Sequence, residues 1–298
     1  MGMVVVGSVA IDDVITPFGK NFNALGGSAT YFSICASNFT RVRLIAVVGE
    51  DFPKKYLKLF DRKNIDAKGL QIKKGKTFRW KGRYGWDLDN PQTLKTQLNL
   101  FKDFKPVLPE DYKDEDILFL ANIDPELQLD VLRQSKSKII AADTMNFWIE
   151  HKRRSLIEVL KRIDILIINE YEARQLTKES NLLKAARRII SWGTKKVVIK
   201  KGEDGVLFVS KKVFFSCPAY LMEDVLDPTG AGDTFAGGFL GYLAKNQKLD
   251  DRTIKKALIY GTIMSSFTVE DYDIKSLKKQ NKQSIENRFK KFKRLCTF

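Results

Sequence analysis

A segment in the last third of the chain combines a carboxylate with several small residues. Residues 227–233 read DPTGAGD and are followed by an apolar stretch that is typical of a buried helix. Because glycine has no Cβ atom, the backbone N–H groups of Gly230, Ala231 and Gly232 can approach an anion closely, and a helix start adds positive potential. Asp233 would lie in the first turn, where it could accept a proton from an attacking hydroxyl. The spacing therefore predicts phosphoryl transfer, with an anion hole beside a general base.

Spacing alone leaves a second interpretation open, namely a glycine-rich helix start with an ordinary aspartate near the helix dipole. The segment lacks the G-x-x-x-x-G-K-[ST] pattern of Walker-type nucleotide hydrolases. His151 is the single histidine, so a Ser-His-Asp triad would have to use it. The three cysteines contain no C-x-x-C pair, which disfavours a zinc site and is typical of reduced thiols in a cytoplasmic protein.

Short apolar segments alternate with helix-forming segments over most of the chain. Strands are predicted at 4–7, 42–48, 117–120, 139–142, 163–168 and 197–200, with a hairpin at 205–210 and 213–217. Helices are predicted at 28–38, 52–64, 125–134, 148–161, 170–177, 181–192, 230–245 and 253–267. The alternation predicts one α/β domain over residues 1–298, with a mostly parallel central sheet covered on both faces. Residues 76–101 differ and predict two antiparallel strands with a turn near Asp89-Asn90-Pro91.

Polar residues follow several of the predicted parallel strands. Asp12 follows the first strand, Asp143 and Asn146 follow the strand at 139–142, and Asn169 and Glu172 follow the next one. In open α/β sheets, ligands bind beyond the carboxyl ends of the strands. We therefore expect these side chains to face a common ligand site.

The net charge of +16 is distributed unevenly along the chain. Residues 1–52 carry a net charge of −1, whereas residues 275–298 carry nine Lys or Arg against Glu286 alone. Such a tail could attract nucleic acid, but its aromatic residues, Phe289 and Phe292, are more simply the apolar stripe of a final helix. No stretch approaches 18 apolar residues and the first residues lack a basic signal region, so the sequence predicts no membrane partner and a cytoplasmic location.

The segment at 227–239, DPTGAGDTFAGGF, resembles the C-terminal signature of the ribokinase-like carbohydrate kinases of the phosphofructokinase B type. Other features agree with that family in their order along the chain. Gly26-Gly27 resembles its glycine pair, N-E-Y-E at 169–172 matches its N-x-x-E motif, and K-G-E-D-G at 201–205 matches its glycine turn. The resemblance covers roughly residues 3–270.

The resemblance implies a three-layer α/β/α fold and transfer of the γ-phosphate of ATP to a hydroxyl of a sugar or sugar-like substrate. It implies that Asp233 is the catalytic base and that Gly230, Ala231 and Gly232 form the anion hole. The remaining implied contacts are with the substrate (Asp12, Gly26, Gly27 and Asn146), with the nucleotide (Asn169, Lys200, Gly202 and Gly205), with Mg²⁺ through water (Asn169 and Glu172) and with a monovalent cation such as K⁺ (Asp227 and Thr229). Taken without the family, Asn169 and Glu172 are more typical of a helix cap and a solvent-facing acid.

Residues 76–101, with a contribution from about 10–27, would be the small β lid that closes over the sugar in this family. Aromatic residues at positions 80, 84 and 86 could instead stack on a base, so a nucleoside kinase is the first alternative. Lids of this kind sometimes pair, which makes a homodimer a further expectation. A nucleic-acid-binding protein on a kinase fold is the more remote alternative and is disfavoured. Lys200 stands where the family often has a threonine, and any one lid aromatic could simply be strand packing.

Overall fold

The computed structural model describes residues 1–89 and 91–297. Within these residues the strands are, in chain order, Met3–Val6 (β1), Ala10–Thr16 (β2), Gly19–Gly26 (β3), Val42–Gly49 (β4), Ile65–Lys73 (β5), Phe78–Arg83 (β6), Gln92–Gln97 (β7), Ile117–Leu120 (β8), Ile139–Asp143 (β9), Ile165–Asn169 (β10), Lys196–Lys200 (β11), Val206–Ser210 (β12) and Phe214–Cys217 (β13). The helices are Ser28–Ala36 (α1), Lys54–Arg62 (α2), Pro125–Gln134 (α3), Asn146–His151 (α4), Arg153–Leu160 (α5), Glu170–Thr177 (α6), Leu182–Ser191 (α7), Ala231–Asn246 (α8), Asp251–Val269 (α9) and Lys282–Cys296 (α10).

The larger sheet has the strand order β13-β12-β11-β10-β9-β8-β1-β4-β5. In this sheet the neighbouring strands β11, β10, β9, β8, β1, β4 and β5 are all parallel. Strands β12 and β13 add an antiparallel hairpin at one edge. Strand β1 shows why the sheet lies in the middle of the molecule. Met3 and Val5 enter one apolar core, whereas Val4 and Val6 enter the other. Successive side chains of a strand point to opposite faces, so an all-apolar strand requires a cover on both.

Helices cover the two faces separately. Phe32 of α1, Phe239 of α8 and Ile263 of α9 belong to one core. Leu156 of α5 and Ile189 of α7 belong to the other. The architecture is the predicted three-layer α/β/α arrangement. Within the described part of the chain, no helix is both long enough and apolar enough to cross a membrane.

A second, four-stranded sheet has the order β3-β2-β6-β7. Strands β6 and β7 are antiparallel, as the sequence predicts, and β2 pairs with β6 in parallel. Asn90, in the predicted turn between β6 and β7, lies outside the described residues. Residues 10–26 supply the other two strands, so Asp12 lies on a strand of this small sheet and not in a loop after β1.

One predicted helix is wrong, and one strand of the large sheet was not predicted. The helix predicted at 148–161 is two helices, because Lys152 leaves the helical region with φ −129° and ψ 29°. No glycine or proline marks this break in the sequence. Strand β5 was not predicted, although its sequence IDAKGLQIK alternates apolar and polar residues on both sides of Gly69 and changes phase at that glycine.

Both aromatic residues of the basic C-terminal helix pack inward. Phe292 is buried in the core, and the Phe289 ring lies 5.1 Å from that of Tyr260, centroid to centroid. The expected apolar stripe of a final helix is therefore present in α10.

Candidate active site

Three neighbouring parallel strands end beside one another at the carboxyl edge of the large sheet. The register pairs Asp143 of β9 with Ile167 of β10, and Asn169 of β10 with Lys200 of β11. Asp143, Asn169 and Lys200 are thus the last residues of adjacent strands. This is the edge at which open α/β sheets bind ligands.

The loop before α8 is held in a fixed shape. Asp227 is buried and its Oδ1 accepts a hydrogen bond from the Thr229 N–H at 2.9 Å. Gly230 has φ 77°, and a Cβ atom at this position would lie 2.4 Å from the ring of Tyr31. The loop therefore turns sharply against an aromatic ring just before Ala231 begins the helix, and only glycine fits there.

Asp233 lies in the first turn of α8. Burial raises the pKa of its carboxyl to about 7; the negative charge of Asp143 acts in the same direction, and the positive charge of Lys200 opposes both. A carboxylate with a pKa near neutrality, next to the N–H groups of a helix start, is suited to accept a proton during phosphoryl transfer.

Lys200 approaches the same turn from the sheet. Its Nζ donates a hydrogen bond to Asp143 Oδ2 at 3.3 Å, and both side chains are largely buried. A Cβ atom at Gly232 would lie 2.9 Å from this Nζ. The ammonium group is therefore in contact with the helix start that the sequence predicts to bind an anion.

Asn169 and Glu172 form a reciprocal capping box at the start of α6. Asn169 Oδ1 accepts from the Glu172 N–H at 2.8 Å, and Glu172 Oε2 accepts from the Asn169 N–H at 3.0 Å. The helix-cap interpretation is thus correct for Asn169. Glu172 is not solvent-facing, since burial, followed by the charge of Asp143, raises the pKa of its carboxyl to about 7.

The residues present fit a hydrated magnesium ion. Glu172 uses one carboxylate oxygen in the capping box, and with Asp143 and Asp233 it gives the site more buried negative charge than Lys200 alone neutralises. In residues 1–89 and 91–297 no three or more His, Cys, Asp or Glu side chains are grouped to hold a metal directly. Mg²⁺ retains much of its water shell in proteins, so one or two carboxylates acting through water are sufficient.

Asp12 and the glycine pair come together on the small sheet. A Cβ atom at Gly26 would lie 1.8 Å from Asp12 Oδ2, and Gly27 has φ 94°. Asp12 Oδ1 is buried without a hydrogen-bond partner among the described residues. Burial raises the pKa of Asp12 to about 8; an N–H group of Gly27 opposes this, and the charges of Asp227, Asp273 and Asp233 add to it. The unpartnered oxygen is available for a ligand hydroxyl.

The remaining predicted residues occupy different positions. Gly202 and Gly205 shape the turn between β11 and β12, both with positive φ, and a Cβ at Gly205 would lie 2.2 Å from the Cys217 carbonyl oxygen. Asn146 is exposed at the start of α4, and its Oδ1 accepts from the N–H of Phe147. The described hydrogen bonds do not connect Asn146 with Asp233 or Asp12.

Sequence reasoning missed two residues that line this region, Tyr31 and Asp273, and it named Tyr84 only as one of the lid aromatics. Thr229 Oγ1 donates to the hydroxyl of Tyr84 at 3.2 Å, which joins the small sheet to the loop before α8. Tyr31 packs under Gly230, and the negative charge of Asp273 reaches Asp12. The sequence pointed to Tyr84, because it is one of the aromatic residues of the lid segment 76–101. Asp273, by contrast, lies in a loop without a recognisable sequence pattern.

Comparisons with known proteins agree with this fold. A family model described as pfkB family carbohydrate kinase matches residues 12–279. The chain is 35% identical over 260 residues to the cytidine kinase of Thermococcus kodakarensis, covering 84% of this chain and 91% of that protein. It is 26% identical over 232 residues to a nucleoside kinase of Methanocaldococcus jannaschii, covering 76% and 72%.

Solved structures give the same fold at lower sequence identity. The crystal structure of the Methanocaldococcus jannaschii nucleoside kinase covers 97% of this chain and 98% of its own, with a TM-score of 0.78 at 19% identity. An E. coli protein solved in complex with ATP and Mg²⁺ covers 97% and 99%, with a TM-score of 0.81 at 18% identity.

The fold and the match together define a phosphotransferase that acts on a hydroxyl group. The chain belongs to the pfkB family of carbohydrate kinases.

Proposed function

We propose that this protein transfers the γ-phosphate of ATP to a hydroxyl of a sugar or of the sugar moiety of a nucleoside. The observation that carries the proposal is the position of Asp233, half-buried in the first turn of α8 beside the N–H groups of Gly230, Ala231 and Gly232. Asp233 removes the proton of the attacking hydroxyl, and the three N–H groups bind the oxygens of the moving phosphoryl group. The N–H of Ala231 donates to the Pro228 carbonyl oxygen at 3.1 Å, so it would share or exchange this bond when the phosphoryl group binds.

Residues from the two sheets would hold the two substrates. Asp12, Gly26 and Gly27 bind substrate hydroxyls at the small sheet; the exposed Asn146 is retained as a weaker substrate contact. The nucleotide lies along the carboxyl ends of β10 and β11, with Asn169 and Lys200 near its phosphates and the turn at Gly202 and Gly205 beneath its base. The ammonium group of Lys200 adds a positive charge to the binding of a phosphate, which the hydroxyl of a threonine at this position would not add.

Magnesium, when bound, would neutralise charge on the ATP phosphates. Asn169 and Glu172 would hold it through water, since the carboxylate of Glu172 already faces the site. We also include a monovalent cation such as K⁺ beside Asp227 and Thr229. The side chains of both residues have hydrogen-bond partners in the protein, so the cation would use oxygen atoms that these bonds leave free.

The small sheet would act as a lid on a single kinase domain spanning residues 1–298. Three large apolar side chains in or beside this sheet are exposed, namely Phe18, Phe22 and Trp86. This exposure supports pairing of two lids in a homodimer. The Tyr171 hydroxyl donates to Asp89 Oδ2 at 3.4 Å, so the tip of the β6–β7 segment already reaches the nucleotide side of the site. A closed lid excludes water, which would otherwise compete as acceptor. We place the enzyme in the cytoplasm.

A substrate panel tests the proposal. Release of ADP is measured with ribose, fructose, hexose phosphates, inositol and nucleosides, at fixed ATP and Mg²⁺, with and without K⁺. The Asp233→Asn variant serves as the blank, because it keeps the shape of the site and removes the base. Turnover of at least one acceptor that the variant lacks supports the proposal; no turnover of any acceptor, with ATP bound, overturns it.

A further inference from the structure

One face of the small sheet covers the site, and strand register shows which side chains it carries. Asp12 of β2 pairs directly with Trp80 of β6, and two residues further on Val14 pairs with Gly82. On the other side of β2, Val14 pairs with Asn21 of β3. Directly paired residues and residues two apart on a strand share a face. Trp80, Gly82 and Asn21 therefore lie on the same face as the buried Asp12.

The ring of Trp80 lies over Gly82, which has no side chain. A Cβ atom at Gly82 would lie 2.1 Å from Cη2 of the Trp80 ring. The ring Nε1 donates to Thr93 Oγ1 of β7 at 3.2 Å. The indole thus packs closely on the sheet over Gly82, with a hydrogen bond at its edge, and Trp80 is half-buried.

Asn21 contributes an unpartnered donor on this face. Its Nδ2 is buried and has no hydrogen-bond partner among the described residues. Burial of a polar group without a partner is unfavourable, so such a group in a native protein requires an explanation. Asn21 and Gly82 flank the central strand on opposite sides, about 10 Å apart across two strand spacings. A planar heterocycle on Trp80 can present an acceptor at its edge toward this amide.

The other aromatic residues of the segment are unsuited to this role. The hydroxyl of Tyr84 accepts a hydrogen bond from Thr229, and its side chain is buried. Trp86 is 81% exposed and its ring makes an edge contact with Phe18, with 6.0 Å between centroids. The structure therefore selects Trp80 among the three aromatic residues that the sequence offered.

We propose that the acceptor is a nucleoside, whose base stacks on Trp80 and accepts a hydrogen bond from Asn21 while its ribose hydroxyls bind Asp12. The inference rests on the proposed function, because it places a ribose hydroxyl beside the same general base, Asp233. A free sugar would fill the region of Asp12 and leave both the indole face and the Asn21 amide without a partner. Stacking of a base on an aromatic side chain depends little on which base it is, so Asn21 supplies the preference among bases.

Steady-state kinetics on two classes of acceptor test the inference. The Trp80→Leu variant is compared with the wild-type enzyme on cytidine, uridine, adenosine, inosine and ribose. We expect kcat/KM for the best nucleoside to fall by about 5- to 150-fold, the range that one base–aromatic stack provides, and kcat/KM for ribose to stay within about twofold. Trp80→Phe restores a large part of the nucleoside activity. The control is Trp86→Leu, which removes an exposed indole that the site does not use and leaves all values unchanged.

Asn21→Leu provides a second, independent measurement. It removes the unpartnered donor while keeping the volume, so we expect the melting temperature to stay the same or rise while the KM for the nucleoside increases. An equal loss on ribose and nucleosides in Trp80→Leu would show that the indole serves only lid packing and would overturn the inference. Preference of the wild-type enzyme for a free sugar or sugar phosphate also overturns it but leaves the proposed function intact.

Direct binding separates the two proposals. Nucleoside binding to the wild-type protein, measured by calorimetry without ATP and weakened in Trp80→Leu, supports the inference even where no turnover is found. Turnover of sugars without nucleoside binding supports the proposed function and refutes the inference.

Discussion

Lys200 and Asp143 form an ion pair, 3.3 Å between Nζ and Oδ2, directly against the first turn of α8. Burial acts to lower the pKa of Lys200, but the charges of Asp143, Glu172 and Asp233 outweigh it and raise the pKa above its usual value. Lys200 therefore stays charged at neutral pH. Burial is the main reason that the pKa values of Glu172 and Asp233 both lie near 7; the charge of Asp143 adds to it, and the charge of Lys200 opposes it in both.

The two charges of the ion pair shift the pKa of Asp233 in opposite directions and so affect the pH dependence of catalysis. Asp233 must be ionised to accept a proton, so kcat/KM should fall as the pH drops below about 7, the pKa of Asp233. Asp143→Asn removes a charge that raises this pKa and should move the acidic limb to lower pH. Lys200→Met removes the charge that lowers it and should move the limb to higher pH. The measurement is kcat/KM between pH 5 and 9; shifts in the same direction in both variants would contradict the assigned electrostatics.

Asp233→Asn should lower kcat by about 10²- to 10⁴-fold, the usual contribution of a general base. The amide keeps the shape of the carboxyl group and leaves the N–H groups of the anion hole in place, so the Kd for ATP should change little. Single-turnover kinetics and calorimetry measure the two effects separately. A loss of less than about tenfold would assign the proton to a different group.

Gly232→Ala should impair catalysis without impairing folding. Alanine is favoured over glycine inside a helix by up to about 1 kcal/mol, so the melting temperature should stay constant or rise. The new methyl group would lie 2.9 Å from Lys200 Nζ and would force this flexible end away from the anion hole. We expect a higher KM for ATP together with a lower kcat.

The matched control is Gly238→Ala on the same helix. There the Cβ would lie 2.9 Å from the backbone oxygen of Tyr260 in α9, which cannot yield as a side chain can. This variant should lose stability, measured by thermal unfolding, with little change in the KM of the remaining folded enzyme. Equal stability losses in both variants would contradict the distinction.

Asp12→Asn should stabilise the ligand-free protein while abolishing substrate binding. The folded-state pKa of Asp12, about 8, is far above the usual value of 3.8 for an aspartate, so the folded protein binds a proton that the unfolded chain releases. The free energy of unfolding of the wild type therefore decreases as pH rises between these two pKa values, by up to about 1.4 kcal/mol for each pH unit. An amide does not titrate, so the advantage of the variant should grow from pH 4 to pH 8 and then level off.

Denaturant unfolding at pH 5, 6.5 and 8 measures this difference. Asp13→Asn is the control, because Asp13 follows Asp12 on the opposite face of β2 and accepts a hydrogen bond from the N–H of Asn23. A stability difference that does not change with pH would show that Asp12 is ionised in the ligand-free fold.

The sequence alone determined the layers of the fold and the segment that we propose performs the chemistry. Apolar runs such as 163–168 and the helix at 125–134 are local patterns, and the structure has these elements at nearly the same residues. The glycines of 227–233 also act locally, because a missing Cβ permits a turn wherever the chain is placed. The break at Lys152 could not be predicted, since no glycine or proline marks it. Strand β5 was missed because its alternation changes phase at Gly69.

Tertiary structure decided the electrostatics and the choice among candidate side chains. Lys200 and Asp143 are 57 residues apart in sequence, and only the register of β9, β10 and β11 brings them together. Likewise, only strand pairing shows that Trp80 shares the face of Asp12, whereas Trp86 and Asn146 are exposed. The physical reason is that pKa values and ligand contacts depend on burial and on neighbours from distant segments, which composition and spacing do not encode.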